Sequence, residues 1–239
     1  MADQTTETLP LLPADRRYPF IIYVLGAPGS GKGTLCDELA RKYHFRHISV
    51  GDWLREEVQA NSGLGNSVRR YVEAGELVPD DHMKAIFVAK IQPYASWNKS
   101  AAVLIDGFPR RKSQIPNFEQ ADPTIVLFFK CPKDEACRRV LSRVGRANDT
   151  QAVFDRRYAE FERENTGVLE YFKSAGKEVV TVDTSGQTGE SWMKLLGALE
   201  KSDVWKMMLT AFEADLETVV EYQSPEGDAE EVVESRTEL

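Results

Sequence analysis

An α/β fold, with a parallel sheet layered between helices, is what this 239-residue sequence predicts, on three observations. Apolar runs of strand length alternate with stretches of helical periodicity from residue 20 to residue 201. The first run is followed by a glycine-rich stretch, Gly26-Ala27-Pro28-Gly29-Ser30-Gly31-Lys32-Gly33-Thr34, and then by a helix. A later run ends on Asp106-Gly107. Two polar turns therefore leave strands at their carboxyl ends, where open parallel sheets bind ligands.

The elements follow in order. Residues 1–17 are polar, carry Pro10 and Pro13, and are expected to form a disordered arm. Phe20-Ile21-Ile22-Tyr23-Val24-Leu25 is a buried-type strand, and a helix is expected over 32–42. Arg46-His47-Ile48-Ser49-Val50 is a short second strand, and Gly51-Asp52-Trp53-Leu54 opens a helix whose early acids suit the helix dipole. Asp52 is a candidate cap for it. Residues 62–92 read as helix broken at 75–80, with Asp80 as the cap of the second part. Residues 101–105, 124–129 and 179–182 are strands. Helices are expected over 133–143, on to 173 after a short polar loop, and over 188–201. Trp205, Met208, Leu209, Phe212, Leu216 and Val219 give 203–222 the apolar face of a further helix. Residues 223–239 are acidic and expected to be disordered.

Composition excludes several function classes. A net charge of −8 argues against nucleic acid or a membrane surface as partner. Cys36, Cys131 and Cys137 have no paired metal spacing and read as reduced, structural thiols. No apolar run approaches the roughly 20 residues of a membrane span, and the N-terminus lacks signal-peptide character. A cytoplasmic monomer is expected, with the nucleus as a second location.

Strand, glycine-rich loop and helix together are the context of a phosphate-binding P-loop. The glycines let successive N–H groups point inward, and the start of the helix adds positive potential. Gly26, Pro28, Gly29, Ser30, Gly31, Lys32, Gly33 and Thr34 are thus candidates to bind ATP phosphates, with Lys32 as mobile charge. Gly33 stands where a Ser or Thr is usual after the lysine; the hydroxyl comes one place later, at Thr34.

This loop, then Gly51-Asp52-Trp53-Leu54-Arg55, Asp106-Gly107-Phe108-Pro109-Arg110 and Gly145-Arg146, in this order, resembles the nucleoside monophosphate kinases, a family that includes adenylate kinases and UMP/CMP kinases. The resemblance covers about residues 18–202. It implies a three-layer P-loop NTPase fold, a helical flap of about 50–80 over the monophosphate and a short lid of about 143–149 over ATP. It also implies transfer of the γ-phosphoryl of ATP to a nucleoside monophosphate, where positioning and charge compensation do most of the catalysis. Lys32, Arg143, Arg146, Arg157 and Asp106 become the catalytic candidates. Val50, Gly51, Arg55, Val78, Gly107, Arg110 and Gln114 become candidates to hold the monophosphate. Mg²⁺ is the implied cofactor, oriented by Asp106 through water and, less directly, by Thr34.

Each arginine has a plainer alternative, since arginines on helices are usually solvated; Arg139, Arg156 and Arg163 fit that description. His44, His47 and His82 show no metal spacing or nucleophile partner and read as ordinary histidines. The lid departs from the family pattern: only Val144 separates Arg143 from Gly145, and Asn148-Asp149 stands where Asp-Asp is usual.

The acceptor base is read two ways. Val50 lacks the hydroxyl with which adenylate kinases contact adenine, which favours UMP or CMP. Gln114 is a residue adenylate kinases use for AMP, and an amide offers both donor and acceptor. UMP/CMP is the preferred acceptor and AMP the alternative. A regulatory protein that binds nucleotide with little turnover is a rival of another class, motivated by the short lid and acidic extension.

Overall fold

A computed structural model describes residues 20–90, 102–115, 122–143 and 149–223, with the side chains of 87–90 and 214–223 left aside. The expected arm, most of the lid with Gly145 and Arg146, and all but the first residue of the acidic tail lie outside the described residues.

Five strands form one parallel sheet: β1 (Phe20–Gly26), β2 (Arg46–Ser49), β3 (Ala102–Asp106), β4 (Ile125–Lys130) and β5 (Val179–Asp183), in the order β2-β3-β1-β4-β5. The chain moves outward from β1 in one direction, returns, and continues on the other side. The crevice at such a reversal opens beyond the carboxyl end of β1. Val24 is in register with Asp106, so the glycine-rich loop and the Asp106 turn leave the sheet side by side.

Eight helices surround this sheet among the described residues: α1 (Lys32–Tyr43), α2 (Val50–Gln59), α3 (Gly63–Ala74), α4 (Asp80–Lys90), α5 (Lys133–Leu141), α6 (Gln151–Ser174), α7 (Thr188–Leu199) and α8 (Asp203–Gln223). Successive side chains of a strand point to opposite faces, and β1 shows what this builds. Ile21, Tyr23 and Leu25 pack with Val50, Leu54 and Val58 of α2, Met83 of α4 and Phe172 of α6. Phe20, Ile22 and Val24 pack with Leu35 and Leu39 of α1, Leu195 of α7 and Trp205, Met208 and Phe212 of α8. The three layers expected from the sequence are present. Trp205, Met208 and Phe212 of the expected apolar face pack on the body, and Phe45 lies edge-on to both Trp205 and Phe212.

Some boundaries differ. Helix α2 starts at Val50 because Ser49, not Asp52, is its cap; the Ser49 hydroxyl oxygen accepts from the Asp52 N–H at 3.3 Å. Asp80 is the first residue of α4 rather than its cap, and its carboxylate accepts from the Ser113 hydroxyl at 2.6 Å. Helix α5 ends at Leu141, leaving Arg143 just beyond it.

Candidate active site

The glycine-rich loop owes its shape to close backbone packing. Gly29 has φ 84°, and a Cβ there would lie 2.2 Å from the carbonyl oxygen of Ala136 in α5. No side chain fits, so the loop can sit on α5 only with glycine at this position. Gly31, at the start of α1, also adopts the left-handed conformation, with φ 84°. Lys32 is the first residue of α1, and its Nζ donates to the carbonyl oxygens of Gly26 at 2.8 Å and Ala27 at 2.9 Å. Burial lowers the pKa of this ammonium, and the nearby Asp106 carboxylate opposes that shift.

The loop forms one wall of a cleft of about 410 Å³, within the range of small-molecule sites. Gly26, Pro28, Gly29, Gly31, Lys32, Gly33 and Thr34 line it; so do Val50, Gly51, Arg55, Val78, Asp106, Gly107, Arg110, Gln114, Arg143 and Arg157. Residues scattered over more than 130 positions of sequence thus meet in one cavity. Ser30 is the exception among the described candidates. Its N–H donates to the Ala27 carbonyl at 3.1 Å and its side chain is fully buried, so it shapes the loop rather than facing the cleft.

Two guanidinium groups converge over Gly51. A terminal nitrogen of Arg55 and one of Arg110 each lie 3.4 Å from where a Cβ on Gly51 would sit. Arg110 is aimed by a bond from its Nε to the Gly107 carbonyl at 2.8 Å, and Arg55 by an ion pair with Asp52. Two like charges over a bare glycine make a place for an anion. The loop and this pair of arginines are therefore two anion sites in one cleft.

Arg143 and Arg157 come from opposite sides of the lid segment and share one carboxylate. Asp149 has a 2 % exposed side chain; its Oδ2 lies 3.7 Å from Arg143 and its Oδ1 3.5 Å from Arg157. The sequence marked Asp149 only as what remained of an acidic pair. Its part in gathering two distant arginines follows from the chain crossing between α5 and α6. Arg139 is committed elsewhere: it donates to the Thr184 carbonyl at 2.8 Å and pairs with Glu135 at 2.6 Å. Arg111 likewise turns to Glu160, at 3.1 Å.

Asp106 ends β3, is followed by a turn, and caps no helix. Its Oδ1 is buried without a hydrogen-bond partner. Burial raises its pKa, with Lys32, His47 and Arg110 pulling the other way. His47 stands between it and α1: Nδ1 is 2.8 Å from Asp37 Oδ1, and Nε2, which has no hydrogen-bond partner, is 3.9 Å from Asp106 Oδ2. Nothing in the spacing of His47 announced this, because the arrangement is made across neighbouring parallel strands. No group of three His, Cys, Asp or Glu among the described residues could hold a metal. A hard cation that keeps most of its waters fits the orphan oxygen of Asp106 and the exposed hydroxyl of Thr34, whereas a fully ligated metal does not.

Val50, Leu54, Val72, Leu77, Val78 and Met83 give the cleft an apolar part of its lining, to which Glu76 and Gln114 also contribute. Trp53 packs against the core and donates to Glu57 at 3.0 Å, so it is no stacking platform for a base.

A family model described as adenylate kinase matches residues 24–177. The chain is 35% identical over 188 residues to the probable UMP-CMP kinase 2 of Arabidopsis thaliana, covering 77% of this chain and 71% of that one. It is 37% identical over 165 residues to the uridylate kinase of Saccharomyces cerevisiae, covering 66% and 80%. It is 33% identical over 186 residues to adenylate kinase isoenzyme 1 of Gallus gallus, covering 76% and 94%.

Proposed function

The chain belongs to the adenylate kinase family of nucleoside monophosphate kinases, and from that premise we propose that it transfers the terminal phosphoryl group of ATP to UMP or CMP. The observation that carries this is the pair of anion sites in one cleft: a phosphate loop on one wall and the Arg55–Arg110 pair on another. A nucleotide hydrolase needs the first alone; a phosphorylated acceptor needs the second.

The loop N–H groups and Lys32 hold the ATP phosphates. Arg55 and Arg110 grip the acceptor's phosphate and aim one of its oxygens at the group to be transferred. Arg143 and Arg157, aligned by Asp149, neutralise charge that spreads over the equatorial oxygens in the transition state. Arg146 joins them from the lid in this reading. Asp106 and Thr34 would hold a hydrated Mg²⁺ on the ATP phosphates, and the ion supplies positive charge there. The flap of about 50–80 and the lid of about 143–149 close over the two nucleotides and exclude water. Monomeric, cytoplasmic action in pyrimidine nucleotide supply completes the proposal.

The apolar lining around Val50 supports a pyrimidine acceptor. AMP is the second reading, favoured by an amide at Gln114 and by the similarity to an adenylate kinase. The test is kcat/KM for UMP, CMP, AMP and GMP at fixed ATP and Mg²⁺. A lead for UMP or CMP is expected; a lead for AMP establishes the second reading. Nucleotide binding with no ADP formed, whichever monophosphate is offered, would replace both by the regulatory protein.

A further inference from the structure

Arg156, grouped by sequence with the solvated arginines, has a partner 82 positions away. Its Nη1 donates to the carbonyl oxygen of Ala74, the last residue of α3, and lies 3.8 Å from Oε1 of Glu76. The last carbonyls of a helix have no partner within it. Gly75, with φ 70°, turns the chain there. Its N–H takes the Val72 carbonyl at 3.3 Å, and the Glu76 N–H takes that of Tyr71 at 2.8 Å. The Ala74 carbonyl takes Arg156 instead, a cation at the negative end of the helix. The same turn seats directly on α6. A Cβ on Gly75 would lie 2.7 Å from Val153 Cγ1 and 3.1 Å from Arg157 Nε. Val153, Arg156 and Arg157 share one face of α6, and Val168 and Phe172 fix that helix to the core beside β1.

From this we infer that Arg156 is a positioning residue for the acceptor: it pins the end of the flap to α6, and so holds Arg55 and Val78 over the cleft without touching the monophosphate. The inference rests on the acceptor site and flap proposed above. Gly75 and Glu76 line the cleft, whereas Arg156 stands outside it. With the flap end free, part of the acceptor's binding energy goes into seating it. The apparent affinity then falls in proportion to the fraction of molecules whose flap is already seated. ATP, held by the opposite wall, stays outside this balance. The factor is modest, because the Arg156 and Glu76 side chains are 49% and 54% exposed and water competes for both. The contact at Gly75 adds a second link. The flap end rests beside Arg157, whose Nη1 is 3.5 Å from Asp149 Oδ1, so the flap and one transfer arginine are seated against each other.

The experiment measures kcat, KM for ATP and for the best monophosphate, and Tm, in the wild type, Arg156→Ala, Arg156→Lys and Gly75→Ala. Kd for UMP, CMP, AMP and GMP is measured by titration on the same proteins. Arg156→Ala is expected to raise KM and Kd for the monophosphate about three- to tenfold. KM for ATP, kcat at saturating acceptor and Tm should be little changed. Arg156→Lys keeps a charged donor for the Ala74 carbonyl and should restore most of the loss. Gly75→Ala sets a methyl group against Val153 and Arg157 and should raise the same KM while lowering kcat. A merely structural Arg156 would lower Tm and weaken both substrates alike. Monophosphate KM and Kd unmoved by Arg156→Ala, a rise shared equally by ATP, or no rescue by lysine overturns the inference while the kinase reading stands. A wild type that forms no ADP with any monophosphate overturns the kinase reading, and the Kd ratio of Arg156→Ala to wild type still decides the inference. No binding of any monophosphate overturns both.

Discussion

The phosphate side of the cleft is built from glycine backbone and charged side chains, and the base side from apolar ones. Gly29 fits against α5 only because it has no Cβ, and the part-buried Lys32 and buried Asp106 bring charge into the cleft. At the base side Val50 and Val78 are apolar core residues that also line the cleft, alongside Gln114. The first region is rigid and electrostatically costly, and it suits a ligand common to every member of the family. The second is built from buried apolar positions, Val50 at the start of α2 and Val78 in the segment between α3 and α4. Chemistry and specificity are thus held by different kinds of structure.

The largest effect should come from attacking the phosphate side. Lys32→Met removes the charge for the ATP phosphates and leaves two carbonyl groups at the edge of a wet cleft. Turnover is expected to fall by roughly a hundred- to a thousandfold, the loss typical of one transition-state donor, with the thermal melt little changed. A variant with near-normal kcat would break the contrast, since backbone and helix would then suffice.

A smaller effect is expected at the base side. Val50→Thr adds a hydroxyl at a buried position that lines the cleft, with almost no change in volume. The ratio of kcat/KM for AMP to that for UMP should rise about tenfold, the worth of one hydrogen bond to a desolvated base. A fall in activity on both substrates together, with the ratio constant, would mean that Val50 serves packing alone.

The smallest effect is in stability, and it measures what the buried charge costs. Burial raises the pKa of Asp106 in the folded protein above its unfolded value. Its ionised form is therefore less favourable folded than unfolded, and at pH 7 it destabilises the chain. Asp106→Asn, melted in the presence of a chelator, should raise Tm at pH 7 by about 2–4 °C per kcal/mol gained. The difference should shrink as pH falls below the ordinary carboxylate range, where the carboxyl is protonated in both states. A lower Tm at pH 7 would show that Lys32, His47 and Arg110 more than offset the burial. The matching change at the base side, Val50→Thr, should lower Tm at any pH.

What the sequence determined by itself was the parallel α/β order, the loop Gly26–Thr34 and the places of Arg55, Asp106 and Arg110. These are local properties: strand periodicity, glycine spacing and residues fixed within two or three positions of a motif. The cap of α2 lay within the same reach, in Ser49, but Asp52 competed for it and only the bond geometry separates them. Tertiary structure alone decided the rest. It buried Ser30 within the loop, set His47 between Asp37 and Asp106 across strands, and drew Arg143 and Arg157 to one carboxylate at Asp149. It also turned the Gln114 oxygen inward onto two backbone N–H groups. Each of these depends on which end of a side chain finds a partner from another part of the chain. Residue type and spacing do not encode that, because a side chain's free donors and acceptors are what remain after the fold has used the others.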